Sequence, residues 1–346
     1  MIGTSDSGEV DLGELVRRSA LRPLSAAEAE AAFAEVMEGR ATPVQMAALL
    51  VAIRVRGAVP AEVAGGVRAL RRAMVPVPAD ADGLVDTCGT GGGALTTFNI
   101  STAAALLAAG AGVRVAKHGN RSFTSKCGSA DVLEELGVRL ELSPEQEARV
   151  LEACGIVFMF APLHHPAMKH VGPIRRELGM PTIMNVLGPM TNPAHARRQV
   201  VGVSDPALLE LIAGALAELG HERALVVHGE PGIDELSPLG TTEVLEVDGG
   251  RVTRRTFDPA AELGWERFSP EGLEGGDRRE NARKVEDVLR GRLQGAARAA
   301  VTLNAGAAIY VAGRADSLVD GVRAAEAALE AGRGWEKLQA LREAAR

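Results

Sequence analysis

Five short apolar runs, at 84–86, 113–116, 156–160, 200–203 and 224–227, recur with helix-patterned stretches between them. Runs this short, apolar on both faces, suit strands buried between helices in a parallel sheet. Segments such as STAAALLAAG, SADVLEELG and PALLELIAGALAELG supply the intervening helices. Each parallel crossover needs such a helix, so the alternation predicts an α/β domain with a mainly parallel central sheet. TTEVLEVDGGRVTRRTF alternates around Asp248-Gly249-Gly250 and predicts a hairpin, and NAGAAIYVAG predicts a helix packed under the sheet.

A different pattern precedes the strands. Ser25 with Glu28, and Thr42-Pro43 with Gln45, are capping-box signatures opening helices that end near Gly39 and Gly57. Pro60 opens another, ending near Met74, and VPVPADADG reads as a linker. The expected division is a small helical domain over 1–78, with a helical insertion at about 165–192 packing on it, and an α/β domain over 79–346. The first ten residues are expected to be a disordered lead.

At 346 residues the chain is long enough for these two packed units. Aromatics make up only 3%, so Ala, Val and Leu must build the core and base-stacking platforms are scarce. The net charge of −7 disfavours nonspecific nucleic-acid binding. No apolar run reaches the roughly 18 residues of a membrane span, and the polar N-terminus does not read as a signal peptide. A cytoplasmic location is expected. Cys88, Cys127 and Cys154 lack metal-ligand spacing and are expected to be reduced thiols.

Leu84-Val85-Asp86 leads into Cys88-Gly89-Thr90-Gly91-Gly92-Gly93, and a helix is expected near Ser101. Glycines let the backbone approach phosphate oxygens, and a helix start offers free N–H donors. A P-loop would need a Gly-Lys-Ser/Thr closure, which is missing. A dinucleotide fingerprint would need an acid about 20 residues on, where Arg114 and Lys117 stand instead. A bare phosphate or pyrophosphate fits better, with a ligand-free structural turn as the alternative. After the next strand, Lys117-His118-Gly119-Asn120-Arg121-Ser122 and Thr124-Ser125-Lys126 suit a polyanion, or else form a solvated basic loop.

The blocks GTGG…TFNISTAAALLAAG, KHGNRS…GSADVLEELGV, FAPLHHPAMKHVGPIRRELG, NVLGPMTNPA and VVHGEPGIDELS, in this order, resemble the anthranilate phosphoribosyltransferase family. The resemblance implies a nucleoside phosphorylase/phosphoribosyltransferase-like fold and a homodimer joined through the helical domains. It implies magnesium-dependent transfer of phosphoribosyl from phosphoribosyl pyrophosphate (PRPP) to anthranilate, a step of tryptophan biosynthesis. PRPP contacts carried over by it are Gly89, Gly92, Gly93, Thr97, Asn99, Ile100, Ser101, Thr102, Lys117, His118, Gly119, Asn120, Arg121, Ser122, Phe123, Thr124, Ser125 and Ser129. Anthranilate contacts are Gly89, Asn120 and Arg175, and magnesium ligands are Ser101, Asp234 and Glu235.

These assignments make chemical sense. Adjacent acids in a loop can converge on a metal, and magnesium takes one or two carboxylates plus substrate phosphates. Arg175 and Arg176 point about 100° apart on a helix, so one faces the cleft. The resemblance selects Arg175 to grip the anthranilate carboxylate, leaving Arg176 for a salt bridge. Lys117, Arg175, Asp234 and Glu235 are the expected catalytic set. His165 and Pro166 are expected to help form the aromatic's entry, and His118 reads as a base or as a histidine bonded to backbone.

Gly93 departs from the family's usual aspartate, which predicts a looser loop and an altered magnesium dependence. Met180-Pro181 and Met184 also depart, beside the expected anthranilate channel. Two rivals remain: a pyrimidine nucleoside phosphorylase of the same fold, and a noncatalytic nucleic-acid-binding relative.

Overall fold

The computed structural model describes residues 10–122 and 126–346. Four helices come first: α1 (Leu12–Leu21), α2 (Ala26–Met37), α3 (Pro43–Arg56) and α4 (Pro60–Ala73). Both expected capping boxes form. Ser25 Oγ accepts the Glu28 N–H at 3.2 Å while the Glu28 carboxylate accepts the Ser25 N–H at 2.9 Å. Thr42 and Gln45 repeat the exchange at 3.2 and 3.0 Å. The helix α1, capped by Asp11, was not expected. It buries only Leu12, Leu15 and Ser19, a stripe too sparse to register as periodicity.

The rest alternates as expected: β1 (Leu84–Gly89), α5 (Ile100–Gly110), β2 (Arg114–Gly119), α6 (Ser129–Glu135), α7 (Pro144–Cys154) and β3 (Ile156–Phe160). Three helices follow: α8 (Ala161–His164), α9 (Met168–Leu178) and α10 (Met184–Leu187). Then come β4 (Arg198–Gly202), α11 (Leu208–Glu218), β5 (Arg223–Gly229), β6 (Thr242–Asp248) and β7 (Arg251–Phe257). The chain closes with α12 (Pro259–Leu263), α13 (Arg278–Leu289), α14 (Ala296–Val311), α15 (Leu318–Glu330) and α16 (Arg333–Ala344).

The strands form one sheet in the order β3-β2-β1-β4-β5-β6-β7. The first five run parallel and the last two antiparallel. In the expected hairpin Asp248 pairs with Arg251, and Gly249 and Gly250 take φ of 53° and 88°, the positive values a two-residue turn of this twist requires. From β1 the chain winds outward to β2 and β3, then returns to place β4 on the other side of β1. That reversal opens a crevice at the C-terminal ends of β1 and β4, where open α/β sheets bind ligands.

Each sheet face has its own core. One packs Val85, Val115, Val157 and Val227 under α5, α14 and α16; every residue of α14 except Arg298 is buried. The other packs Val201, Val226 and Leu245 under α11, and through it the N-terminal helices with Val171, Ile183 and Leu187. The linker is tied down: Val75 N–H donates to the His164 carbonyl at 2.8 Å and Val77 N–H to the Pro193 carbonyl at 3.0 Å. Among the described residues no helix is long and apolar enough to cross a membrane.

Glu62 holds the helical layer together. Fully buried, its carboxylate accepts the Leu24 N–H at 2.9 Å, the Val59 N–H at 3.2 Å and the Arg56 guanidinium at 2.5 Å. Removing one partner of such a group strands the others without water. Glu62→Ala is expected to cost about 3–5 kcal/mol in urea unfolding, and a loss below about 1 kcal/mol would contradict this.

Candidate active site

The glycine loop leaves β1 at Gly89 and enters α5 at its cap, Asn99. It is anchored along its length. Thr90 N–H donates to the Gly202 carbonyl at 2.9 Å, and Ser204 Oγ donates to the Gly91 carbonyl at 2.8 Å. Gly91 N–H donates to Asp234 Oδ2 at 2.8 Å, and Ala94 N–H to the Gly232 carbonyl at 2.9 Å. Gly91 and Gly92 have φ of 69° and 81°, open to glycine with little strain. The looser loop expected from Gly93 is not what the structure has. A Cβ at Gly93 would stand 2.8 Å from the Gly232 carbonyl oxygen, so glycine permits the loop to dock on the turn after β5.

Further along, Thr97 bridges to Glu274. The Asn99 amide donates to the Cys127 carbonyl at 3.3 Å and its oxygen accepts from Asn281 at 2.9 Å. Ile100 and Thr102 turn their side chains into the core at 1% exposure, so only their main chain is available at the helix start.

Asp234 and Glu235 lie together in the bend after β5. Two glycines make room for them. A Cβ at Gly89 would meet Asp234 Oδ2 at 2.3 Å, and one at Gly202 would overlap the Asp234 backbone. The Glu235 carboxylate accepts the Ser101 N–H at the start of α5. Burial first, and the Asp234 charge second, push the Glu235 carboxyl up to about 8, with Lys117 pulling the other way.

Lys117 is placed differently from the expectation of a loop after the second strand. The strand β2 runs on to Gly119, so Lys117 and His118 are strand residues, 3% and 8% exposed. The Lys117 ammonium donates to the Thr87 carbonyl at 2.5 Å and to Ser101 Oγ at 3.3 Å. It sits beneath the crevice, facing Asp86. That acid is fully buried and accepts from Asn192 Nδ2 at 2.8 Å and the His118 N–H at 3.2 Å. Burial raises the Asp86 carboxyl and lowers the Lys117 ammonium, and each charge opposes the shift of the other.

Gly119 lets the next loop close in: a Cβ there would strike Ser129 Oγ at 2.3 Å. Ser129 Oγ donates to the Asn120 carbonyl at 3.3 Å. Arg121 is held on α6 by Asp131 and Glu134, both at 2.9 Å, and lies over the Phe160 ring. Ser122 N–H reaches Asp131 at 3.4 Å. Phe123, Thr124 and Ser125 lie outside the described residues.

His118, in β2, packs against His165, which follows α8. The two imidazoles meet Nε2 to Nε2 at 3.2 Å. Burial, reinforced by the neighbouring histidines, holds His118 well below 6.5 and His165 at about 4, so both are neutral. The His118 ring also bonds the Gly188 backbone, as the non-catalytic reading expected. Arg175, on α9, is half-buried; among the described residues its guanidinium has no ion pair or hydrogen bond, and burial lowers its pKa. Arg176 is exposed, and the salt bridge expected for it does not form among the described residues.

The sequence reading missed Asp86, Asn192, Ser204 and Asn304. Asp86 did carry a signal, an acid inside an otherwise apolar strand. No group of three or more His, Cys, Asp or Glu among the described residues could cage a metal by itself. Two carboxylates beside a hydroxyl suit magnesium arriving with substrate oxygens and waters rather than a resident ion.

Known proteins match most of this chain. The helical bundle domain of a glycosyl transferase family matches residues 12–74, and its a/b domain matches 81–335. The anthranilate phosphoribosyltransferase of Rubrobacter xylanophilus is 54% identical over 95% of this chain and 96% of its own. That of Roseiflexus is 51% identical over 92% and 93%.

The chain belongs to the anthranilate phosphoribosyltransferase family.

Among solved structures, the anthranilate phosphoribosyltransferase of Thermus thermophilus superposes with a TM-score of 0.90 at 44% identity, covering 96% of this chain and 99% of its own. The Saccharomyces cerevisiae anthranilate phosphoribosyltransferase in complex with PRPP and Mg superposes at 0.86 and 25% identity, over 96% and 97%. The helical domain, the mainly parallel sheet and the transferase class expected from the sequence therefore hold for this family member.

Gly89→Ala tests the packing of the acid doublet directly. Its methyl group would displace Asp234, so turnover at fixed magnesium is expected to fall by about 100-fold, as in losing one well-placed electrostatic group, with the fold intact by circular dichroism. Activity within about twofold of the parent would show that Asp234 need not sit there.

Proposed function

We propose that the family's reaction, transfer of phosphoribosyl from PRPP to anthranilate, runs in the crevice between the glycine loop, the acid doublet and Arg175. The products are N-(5-phosphoribosyl)anthranilate and pyrophosphate. What supports this reading is the half-buried Arg175 guanidinium, which has no anion partner among the described residues, together with a Gly91 amide already held by Asp234. A half-buried guanidinium without an anion calls for one, and a ring carboxylate can accept both of its parallel N–H donors.

In the reaction the bond from the ribose anomeric carbon to pyrophosphate breaks and a bond to the aromatic nitrogen forms. Asp234 and Glu235, with Ser101 Oγ, would hold magnesium, which supplies charge neutralisation on the departing diphosphate. Gly92 and the first turn of α5 offer main-chain donors to the same diphosphate. Lys117 acts from below: it fixes Ser101 and offsets the buried charges of Asp86 and Glu235. Asn120 closes the site beside Gly119. An aromatic amine is already unprotonated at neutral pH, so positioning outweighs base catalysis. The neutral, backbone-bonded His118 agrees with that.

A homodimer through the helical domains is part of the proposal. Leu21, Val44 and Val55, on α1 and α3, are 86%, 78% and 79% exposed, a cost that a partner surface would remove. A cytoplasmic location completes it.

The test follows the loss of anthranilate fluorescence on mixing with PRPP, magnesium and protein. Arg175→Ala is expected to raise KM for anthranilate by about 30-fold or more, the scale of a lost buried charge pair, with KM for PRPP nearly unchanged. Equal rises in both constants would remove Arg175 from the acceptor site. No activity in the unaltered protein, with activity toward thymidine and phosphate instead, would favour a nucleoside phosphorylase.

The pH profile provides a second check. Both histidines titrate below 6.5, so kcat/KM should show no histidine inflection between pH 6.5 and 8. His118→Ala should cost far less turnover than Asp234→Ala. An inflection near 7 that vanishes in His118→Ala would restore a basic role to that residue.

A further inference from the structure

The acid doublet has no regular secondary structure of its own, and what fixes it is a residue far away in sequence. Asn304 lies in the middle of α14, 3% exposed, on the helix that packs beneath the sheet. Its Oδ1 accepts the Leu236 N–H at 2.9 Å, and its Nδ2 donates to the Leu236 carbonyl at 3.0 Å. A third bond, from Nδ2 to the Ala300 carbonyl at 2.9 Å, sets the side-chain rotamer. One amide thus satisfies both main-chain groups of the residue that follows Asp234-Glu235, as a neighbouring strand would. Asn304 also lines a small cavity with Glu235, Ser101, Thr87 and Cys88, directly behind the doublet.

We propose that Asn304 is a positioning residue for the phosphoribosyl transfer: through its two bonds to Leu236 it sets the height at which Glu235 meets Ser101 and the metal-bearing substrate. This rests on the reading of Asp234 and Glu235 given under Proposed function. The alternative is that Asn304 only stabilises the fold. The structure separates the two roles, because the Leu236 peptide is fully buried and adjoins Glu235 with no residue between. Without the amide, the Leu236 N–H and carbonyl would lose their partners inside the core, and the bend can regain water only by swinging toward the crevice. The acids would move with it.

The test measures binding as well as rate. Mn2+ serves as the metal probe, and its free concentration is followed by electron paramagnetic resonance with PRPP present. Asn304→Ala is expected to bind Mn2+ with PRPP about tenfold more weakly, the scale of two lost buried hydrogen bonds, and its magnesium half-saturation in turnover should rise in parallel. Asn304→Asp keeps an acceptor for the Leu236 N–H but loses the donor, so it should weaken binding too. Ile309→Ala, a buried truncation one turn further along α14, lowers stability without touching the bend and should leave metal binding unchanged.

A loss shared equally by Ile309→Ala would reduce Asn304 to fold stability and overturn the proposal. Unchanged binding in the Asn304 variants, while Asp234→Ala and Glu235→Gln bind poorly, would overturn it and leave the reading of the acids intact. Unchanged binding in all of them would overturn that reading, and the proposal with it. If the Asn304 variants do not fold, amide exchange in the unaltered protein decides. The Leu236 amide should exchange only with global unfolding, and fast exchange there would sink the proposal.

Discussion

Asp234 stands over the gap between β1 and β4, and the crevice is organised around it. Its carboxylate takes the Gly91 N–H, which ties the glycine loop to the bend after β5. Gly89 and Gly202, the last residues of the two strands, are where that bend comes down; a Cβ at either would collide with Asp234. The sheet reverses its winding at this gap, so three loops from distant parts of the chain end within reach of one another. The amides of the glycine loop and the two acids thereby share one place, and among the described residues no group of three or more His, Cys, Asp or Glu forms a metal cage there.

Charge is carried down into the core below that point. Asp86 and Lys117 face each other from neighbouring strands, with the Asn192 amide and the His118 N–H completing the shell of Asp86. Burying charges is costly unless they are paired and hydrogen-bonded. Here the arrangement gives Lys117 a fixed position under Ser101 and Glu235, where it moderates two acids without being exposed to solvent. Arg175, by contrast, is half-buried with no anion partner among the described residues.

The fold was largely legible in the sequence because local signals and burial agreed. Ser25–Glu28 and Thr42–Gln45 announced their helices, the apolar runs marked the strands of the parallel sheet, and Gly249-Gly250 announced the hairpin. The sparse apolar stripe of α1 gave no such signal. At the site, residue types were readable but their direction was not. Lys117 and His118 looked like loop residues because a lysine in a central strand runs against composition; only the buried Asp86 opposite explains it. Arg121 belonged to a basic cluster by sequence, yet Asp131 and Glu134 claim it through the turn of α6. Gly93 suggested slack, whereas its missing Cβ is what lets the loop dock on Gly232. Asn304 was invisible for the same reason: a long-range hydrogen bond leaves no periodic trace.

The proposed reaction requires the glycine loop and the acid doublet to hold a metal-bound diphosphate together. A crystal structure of the protein soaked in magnesium and PRPP tests it most directly. Diphosphate oxygens are expected on the main-chain N–H groups of the glycine loop and α5, with the metal on Asp234 or Glu235. Diphosphate bound elsewhere, or metal density with neither acid among its ligands, would contradict it.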